Sequence, residues 1–126
     1  MQRALVHMLR FADETARGRV LRVQPEDMLA VVQPGITREA LNLALRLYRP
    51  DLILYQAGVD VHQADELGYL SLSDAGVRQR DAMVFDCAIS NGLPIAAVPG
   101  GGYRRDWRQL IPLHLSLFEE AKKRYG

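Results

Sequence analysis

Two loops hold the residues whose types can do chemistry. The first carries Asp60, His62 and Asp65, and the second carries three consecutive glycines followed by Tyr103. Carboxylate oxygens and imidazole nitrogens are ligands that zinc or iron accepts, and a tyrosine after a glycine run can reach over a pocket that the small residues leave open. The residue types alone leave other interpretations open: Asp60 can cap a turn, His62 can lie in solvent, and Tyr103 can pack beside a tight turn.

Each loop follows an apolar run that predicts a buried strand. The two runs, over 52–57 and 93–98, are nearly all apolar, which is typical of strands covered on both faces. A helix is predicted between them over 74–90, with Ser73 accepting from its first N–H groups and Gly92 ending it in a left-handed conformation. These elements indicate a βαβ unit of an α/β domain with a parallel sheet, in which the loops after the strands meet at one edge.

Further elements are predicted on both sides of this unit. Thr37 caps a helix over 38–48 that Pro50 ends, and apolar residues over 110–121 recur at helical spacing. Three elements are predicted near the start: a helix over 2–17, a short strand over 20–23 and a helical turn or two over 26–32.

Several other polar or aromatic residues are interpreted as structural. Arg78, Arg80 and Asp81 are predicted on the polar face of the middle helix, and Arg104 and Arg105 at a solvated or anion-facing rim. His114 is predicted to be a packed structural histidine of the last helix, and Trp107 either to anchor that helix or to line a pocket.

Composition narrows the class of protein. The chain has 126 residues, and 16 Lys+Arg against 15 Asp+Glu give a net charge of +1. This length allows one domain, and the near-neutral charge argues against nucleic-acid or acidic-membrane partners bound by bulk electrostatics. No apolar run approaches the roughly 20 residues of a membrane span. The single cysteine, Cys87, is predicted in the core, and with no secretory signal recognised we expect a cytoplasmic protein.

Two motifs carry a resemblance to a known family. The stretch RPDLILYQAGVDVHQADELGYLSLS, over 49–73, resembles the zinc-dependent histone deacetylases, including their bacterial acetoin-utilisation and acetylpolyamine deacetylase relatives. The GGGY of residues 100–103 is similar to a second motif of that family, and 113–118 to the closing helix of its bacterial members. The resemblance covers about 35–123, and 1–34 stays unassigned.

The resemblance implies a fold and a site. The fold is a three-layer α/β arrangement with a parallel sheet, as in arginases and deacetylases. By position, Asp60 matches a metal ligand, and Tyr103 matches the tyrosine that polarises the acetyl carbonyl and stabilises the oxyanion. Gly101 and Gly102 match the glycines that shape the acetyl-lysine pocket.

His62 and Asp65 are assigned supporting roles behind that site. His62 takes a position that is often histidine in the family but ligates no metal there. The run Asp60-Val61-His62 imitates the separate DxHxGxG ligand motif of the family, but Asp65 and Gly68 after it identify the later motif.

The family mechanism also needs residues that this sequence lacks. It uses an aspartate and a histidine from DxHxGxG as further metal ligands, and an adjacent histidine pair as general base and acid. The chain has three histidines, His7, His62 and His114, and none are adjacent. We therefore interpret residues 1–126 as a single subdomain from the C-terminal part of a deacetylase domain, which alone holds zinc weakly and lacks activity.

The residues leave two other functions open. One is a metal-dependent deacetylase completed by a second copy of the chain or by a separately encoded N-terminal half. The other is a binding module without chemistry. A sheet cut from a larger one exposes a strand edge and an apolar face, so we expect a homo-oligomer, a complementary half, or packing of residues 1–32 over that face.

Overall fold

The computed structural model describes residues 4–7, 20–24, 29–32 and 37–126. Within these ranges the elements are β1 (Ala4–His7), β2 (Val20–Gln24), β3 (Leu29–Val32), α1 (Arg38–Tyr48), β4 (Leu52–Ala57), α2 (Asp74–Ser90), β5 (Ile95–Pro99), a 3-10 helix (Trp107–Leu110) and α3 (Ile111–Tyr125). This confirms the predicted α/β class. No helix of the described part is long and apolar enough to cross a bilayer.

The strands form one sheet in the order β2-β3-β1-β4-β5. β1 is parallel to both β3 and β4, and its register with β4 runs from Ala4 opposite Leu52 to His7 opposite Tyr55. β2 is antiparallel to β3. An antiparallel edge strand on an otherwise parallel sheet is common among α/β folds.

The start of the chain corrects two predictions. Ala4–His7 and Leu29–Val32 are strands, so the predicted helices over 2–17 and 26–32 are wrong at these residues. The strand predicted over 20–23 is confirmed and extends to Gln24. Runs of four apolar residues carry too little periodicity to separate helix from strand, and pairing in the sheet decides the outcome. The rest of these predictions lies outside the described residues.

The strands near the start also bear on the expected cover of the sheet. The described parts of residues 1–32 extend the sheet beyond β4 through backbone pairing. This pairing satisfies the backbone hydrogen-bonding groups along one side of β4. Packing of the same residues over the face of the sheet would leave those groups on the strand edge unpaired.

By contact density the chain divides into two compact units. The first comprises Met1–Gln56 and Cys87–Ala96. In it, α1 begins as predicted: Thr37 Oγ1 accepts a hydrogen bond from the Ala40 N–H at 3.2 Å. The helix ends at Arg49, whose φ is 44°, directly before Pro50.

The second unit comprises Ala57–Asp86 and Ala97–Gly126, and it contains both candidate loops. Its apolar core is formed by Val59, Val61, Val77 and Leu113, and partly buried leucines pack against it. Fully burying a side chain of this kind contributes roughly 1.5–3 kcal/mol. Two of these valines belong to the first loop, so the core holds that loop in place.

The two ends of α2 also agree with the sequence. Ser73 Oγ accepts from the Gly76 N–H at 3.2 Å, and Gly92 adopts a φ of 64°. β5 begins at Ile95 rather than at residue 93 because the Leu93 N–H donates back to the Ala88 carbonyl of α2 and Pro94 has no N–H to donate.

Candidate functional site

The first loop is tied to the second by backbone hydrogen bonds. After β4, the N–H groups of Val59 and Asp60 both donate to the carbonyl of Gly101, at 2.5 and 3.1 Å. Val59 and Val61, on either side of Asp60, are 1% and 4% exposed, whereas Asp60 is half-buried. The buried valines anchor the turn, and Asp60 between them stays half-buried.

The side chains of Asp60 and Tyr103 both lie next to Gly101. A methyl group placed on its Cα would lie 2.6 Å from Asp60 Oδ2 and 3.2 Å from Tyr103 Cε2. The first distance is shorter than any real carbon–oxygen packing contact, so the carboxylate occupies space that only glycine leaves free. The structure therefore brings together Asp60, Gly101 and Tyr103, three residues that the sequence singled out for one site.

Gly102 faces the other side of the second loop. The nearest atoms to a Cβ at this position would be Val59 Cγ2 at 2.6 Å, Leu110 Cδ2 at 3.3 Å and His114 Nε2 at 3.4 Å. The second glycine of the predicted pocket thus packs against the core and the imidazole of α3.

The His114 imidazole lies beside the glycine run. Its ring is half-buried, and Nδ1 is buried without a hydrogen-bond partner in the described structure. Burial lowers the pKa of His114, and Arg80 lowers it further, while Asp81 and Asp60 act in the opposite direction. The lowered pKa keeps the imidazole neutral at pH 7.

The backbone of Tyr103 is held from both sides by the first loop. Its N–H donates to Asp65 Oδ2 at 2.7 Å, and its carbonyl accepts from the Glu66 N–H at 2.9 Å. The other oxygen of Asp65 accepts from the N–H groups of Leu67 and Gly68, at 3.0 and 2.8 Å. These hydrogen bonds fix the backbone of Tyr103, while the residue as a whole is 48% exposed.

Asp65 is suited to this bridging as a carboxylate. Partial burial acts to raise its pKa, but the three backbone donors, from Tyr103, Leu67 and Gly68, together with the charge of Arg104 lower it overall. An ionised carboxylate only accepts hydrogen bonds, which matches three converging N–H groups. This geometry agrees with the prediction that Asp65 acts from behind the site.

His62 is buried, at 4% exposure, so the interpretation that placed it in solvent is wrong. Its Nδ1 accepts from the Ala64 N–H at 3.0 Å and contacts the guanidinium of Arg104. Both contacts are donors, so the ring proton belongs on Nε2, which lies 2.7 Å from Asp74 Oδ1. Both ring nitrogens are engaged within the protein, an arrangement that fits a residue supporting the loop.

Arg104 is therefore not a solvated rim residue. Besides its contact with His62, its Nη1 donates to Gln109 Oε1 at 3.2 Å, and its Nε is buried. The prediction that Trp107 anchors the last helix is also wrong, because Trp107 is 60% exposed. The Arg108 guanidinium lies 5.2 Å from its ring centroid. Cys87 is confirmed as a core residue at 1% exposure.

Arg80 and Asp81 are the main residues that sequence reasoning missed. The sequence pattern predicts both on the polar face of α2, yet their side chains are 11% and 1% exposed. The spacing held a signal: Asp81 comes four residues after Val77 and three before Val84, on the apolar stripe of the helix. A charge on such a stripe indicates a buried partner.

As a metal site, the described residues offer few ligands. Within 37–126 and the three strands near the start, no group of three or more His, Cys, Asp or Glu side chains is placed to hold a metal ion. Asp60 supplies a single candidate ligand. A catalytic zinc site normally takes three from the protein, so these residues alone do not fit one.

Comparison of the sequence with known proteins identifies a family. A family model described as the histone deacetylase domain matches residues 21–115. An uncharacterised protein of Picosynechococcus is 38% identical over 77 residues, which is 61% of this chain and 26% of that protein. Histone deacetylase 2 of Arabidopsis thaliana is 37% identical over 73 residues, covering 58% of this chain and 19% of the relative.

The matched region thus spans about a quarter or less of the length of these relatives. It nevertheless covers most of this chain, and it includes both loops and the helix between them. The chain therefore belongs to the histone deacetylase family.

Proposed function

We propose that this chain supplies the C-terminal part of a deacetylase site. In this proposal Tyr103 stabilises the reacting carbonyl, Asp60 is one ligand of the catalytic metal, and Gly101 and Gly102 shape the acyl pocket. The observation that carries the proposal is the close packing at Gly101, where the Asp60 carboxylate and the Tyr103 ring both border the space that a Cβ of residue 101 would fill.

The chemistry proposed for Tyr103 is electrostatic. When an acetyl amide is hydrolysed, negative charge develops on the carbonyl oxygen, and a donor already aimed at that oxygen lowers the barrier. Asp65 and Glu66 fix the backbone of Tyr103 on both sides, and the residue is 48% exposed, which leaves room for a substrate beside it. Losing one such donor typically reduces kcat by about 10²–10³-fold.

The same proposal makes the isolated chain inactive. Deacetylases of this family are zinc-dependent, and zinc supplies a Lewis acid for the carbonyl and activates water. Asp60 offers one ligand, and the 126 residues contain no adjacent pair of histidines. The further ligands and the general base must then come from residues outside this sequence.

A complementary N-terminal half is a better source of those residues than a second copy. A second copy would duplicate Asp60 and Tyr103 but would add no adjacent histidine pair, since each chain has only His7, His62 and His114. A separate polypeptide carrying a DxHxGxG motif and a His-His pair would supply what the chemistry requires.

The experiment compares the chain alone with a reconstituted mixture. The purified chain and a 1:1 mixture with the N-terminal half of a zinc-dependent family member are assayed for bound zinc and for hydrolysis of an acetyl-lysine peptide. We expect neither from the chain alone, and stoichiometric zinc with turnover from the mixture. Turnover by the chain alone, or a mixed complex that binds zinc without turnover, would reject the proposal; the latter would indicate a binding module.

Tyr103→Phe is the diagnostic variant. It removes only the hydroxyl and should reduce kcat of the mixture by about 10²–10³-fold. Tyr69→Phe is the matched control, because Tyr69 is 96% exposed and should leave turnover unchanged. Equal activity of the two variants would show that Tyr103 does not act on the substrate.

A further inference from the structure

We propose that Arg80 and Asp81 of α2 are positioning residues that fix the turn carrying Asp60. Arg80 Nη1 donates to the carbonyl of Gly58 at 2.5 Å, while its Nε and Nη2 donate to Asp81 Oδ1 at 3.0 and 2.8 Å. The guanidinium thus joins the helix to the first residue after β4. This inference rests on the proposed function, because positioning matters only if Asp60 takes part in the site.

The pair is buried and joined to a second helix. The Asp81 side chain is 1% exposed and that of Arg80 is 11% exposed. Ser116 Oγ, on α3, lies 3.3 Å from Asp81 Oδ2. One end of the pair is therefore set by two packed helices, and the other end reaches the loop.

Stability alone does not account for such a pair. Taking two charges out of water costs about as much as their attraction returns, and well-packed apolar residues in the same space are often equally stable or more stable. The pair has one property that apolar residues lack, which is the directed donor on Gly58. A planar guanidinium serves two acceptors at once, the carboxylate of Asp81 and the carbonyl of Gly58.

The held carbonyl belongs to the residue against which Asp60 is seated. A Cβ on Gly58 would lie 2.8 Å from Asp60 Oδ1 and 3.1 Å from the backbone nitrogen of Gly101. A shift of residue 58 therefore displaces the carboxylate or the second loop. Displacements of about 1 Å in a catalytic constellation can reduce rates by about 10²-fold.

The test uses local amide exchange in the 126-residue chain. The double variant Arg80→Met with Asp81→Leu removes both charges and keeps similar volume. We expect exchange at the Val59 and Asp60 amides, both bonded to Gly101, to accelerate about tenfold more than exchange in α3. The control is Arg78→Met, since Arg78 lies on the same helix but pairs with Glu119 and Glu120; it should not change the two loop amides selectively.

A merely structural role predicts a different pattern. In that case exchange at Val59 and Asp60 rises by the same factor as in α3, and the inference is overturned. Should the double variant fail to fold, the same exchange measurement is made on Arg80→Lys. Lysine keeps the charge but cannot serve both acceptors in the guanidinium geometry. Selective loosening of the two loop amides supports the positioning role, and unchanged amides contradict it.

Turnover in the reconstituted mixture separates this inference from the function on which it rests. The double variant should lower kcat by about 10²-fold while KM stays unchanged. A raised KM with unchanged kcat would contradict positioning of Asp60. If the unmodified mixture is inactive, the proposed function fails, whereas the exchange experiment still decides whether the pair holds the turn.

Discussion

Replacement of Asp65 by asparagine tests how the two loops are joined. One carboxylate accepts three backbone N–H groups, from Leu67 and Gly68 on one oxygen and from Tyr103 on the other. Asparagine has the same shape but one acceptor oxygen and one NH₂ donor. Its oxygen should turn towards the two N–H groups of Leu67 and Gly68, so that the NH₂ group faces the Tyr103 N–H, donor against donor.

The size of the effect follows from these contacts. A hydrogen bond to a charged group contributes about 1.5–3 kcal/mol, and an orphaned donor costs about 1–3 kcal/mol when it is buried. Asp65 is half-buried, so water can replace part of the lost interaction. We expect Asp65→Asn to lower the free energy of unfolding by about 1–2 kcal/mol at pH 7.

The direction in which the stability contributed by Asp65 changes with pH follows from its pKa. Because the pKa of Asp65 lies below its usual value of 3.8 in the folded chain, its contribution is complete above about pH 5. It is lost as the pH falls below the usual carboxyl range and through the lowered pKa. The difference in stability between the unmodified chain and Asp65→Asn should therefore shrink towards pH 3.

Urea unfolding followed by circular dichroism measures this difference at pH 7 and pH 3. Glu66→Gln is the matched control, because the exposed Glu66 carboxylate accepts one backbone N–H, from Arg105; its effect should stay within about 0.5 kcal/mol. An Asp65→Asn variant as stable as this control, or a difference that does not change with pH, would refute the bridging role of Asp65.

Two further substitutions have defined outcomes. Gly101→Ala places a methyl group 2.6 Å from Asp60 Oδ2 and should lower the free energy of urea unfolding by about 1–3 kcal/mol; an unchanged value would contradict the close contact. Hydrogen bonding to Lys123, Arg124 and Arg78 outweighs burial and lowers the pKa of Glu120 from 4.5 to about 2. Its stabilisation is present above about pH 4.5 and is lost as the pH falls towards about 2. Converted directly into stability, this pKa shift would correspond to about 3 kcal/mol, but exposed cations such as Lys123 are screened by solvent. Glu120→Gln should therefore lower the free energy of urea unfolding by about 1–2 kcal/mol at pH 7. A loss of stability that persists at pH 2 would contradict an origin in the charge of Glu120.

The middle of the chain could be predicted from its sequence because its signals are local. Thr37 and Ser73 cap their helices, Gly92 takes up the left-handed conformation, and β4 has the predicted bounds. β1 and β3 could not be predicted, because each has four residues and becomes a strand by pairing with distant parts of the chain.

The candidate site divides in the same way. The proximity of Asp60 and Tyr103 follows from loops that end neighbouring strands, a rule that sequence reasoning can apply. The burial of Arg80 and the contact of Arg104 with His62 depend on how helices and loops pack in three dimensions. For these residues the sequence supplies the charge but not the acceptor.

The place of β4 in the sheet limits how a partner polypeptide can join. β4 has β1 on one side and β5 on the other, so the strand that leads to Asp60 is interior in the described sheet. A complementary half cannot dock by adding a strand beside β4. Among the described strands β2 and β5 are the terminal ones, so we expect any augmentation at one of these two; β5 is the one that leads into the loop of Gly101 and Tyr103. A strand added there would bring new side chains to the edge nearest that loop.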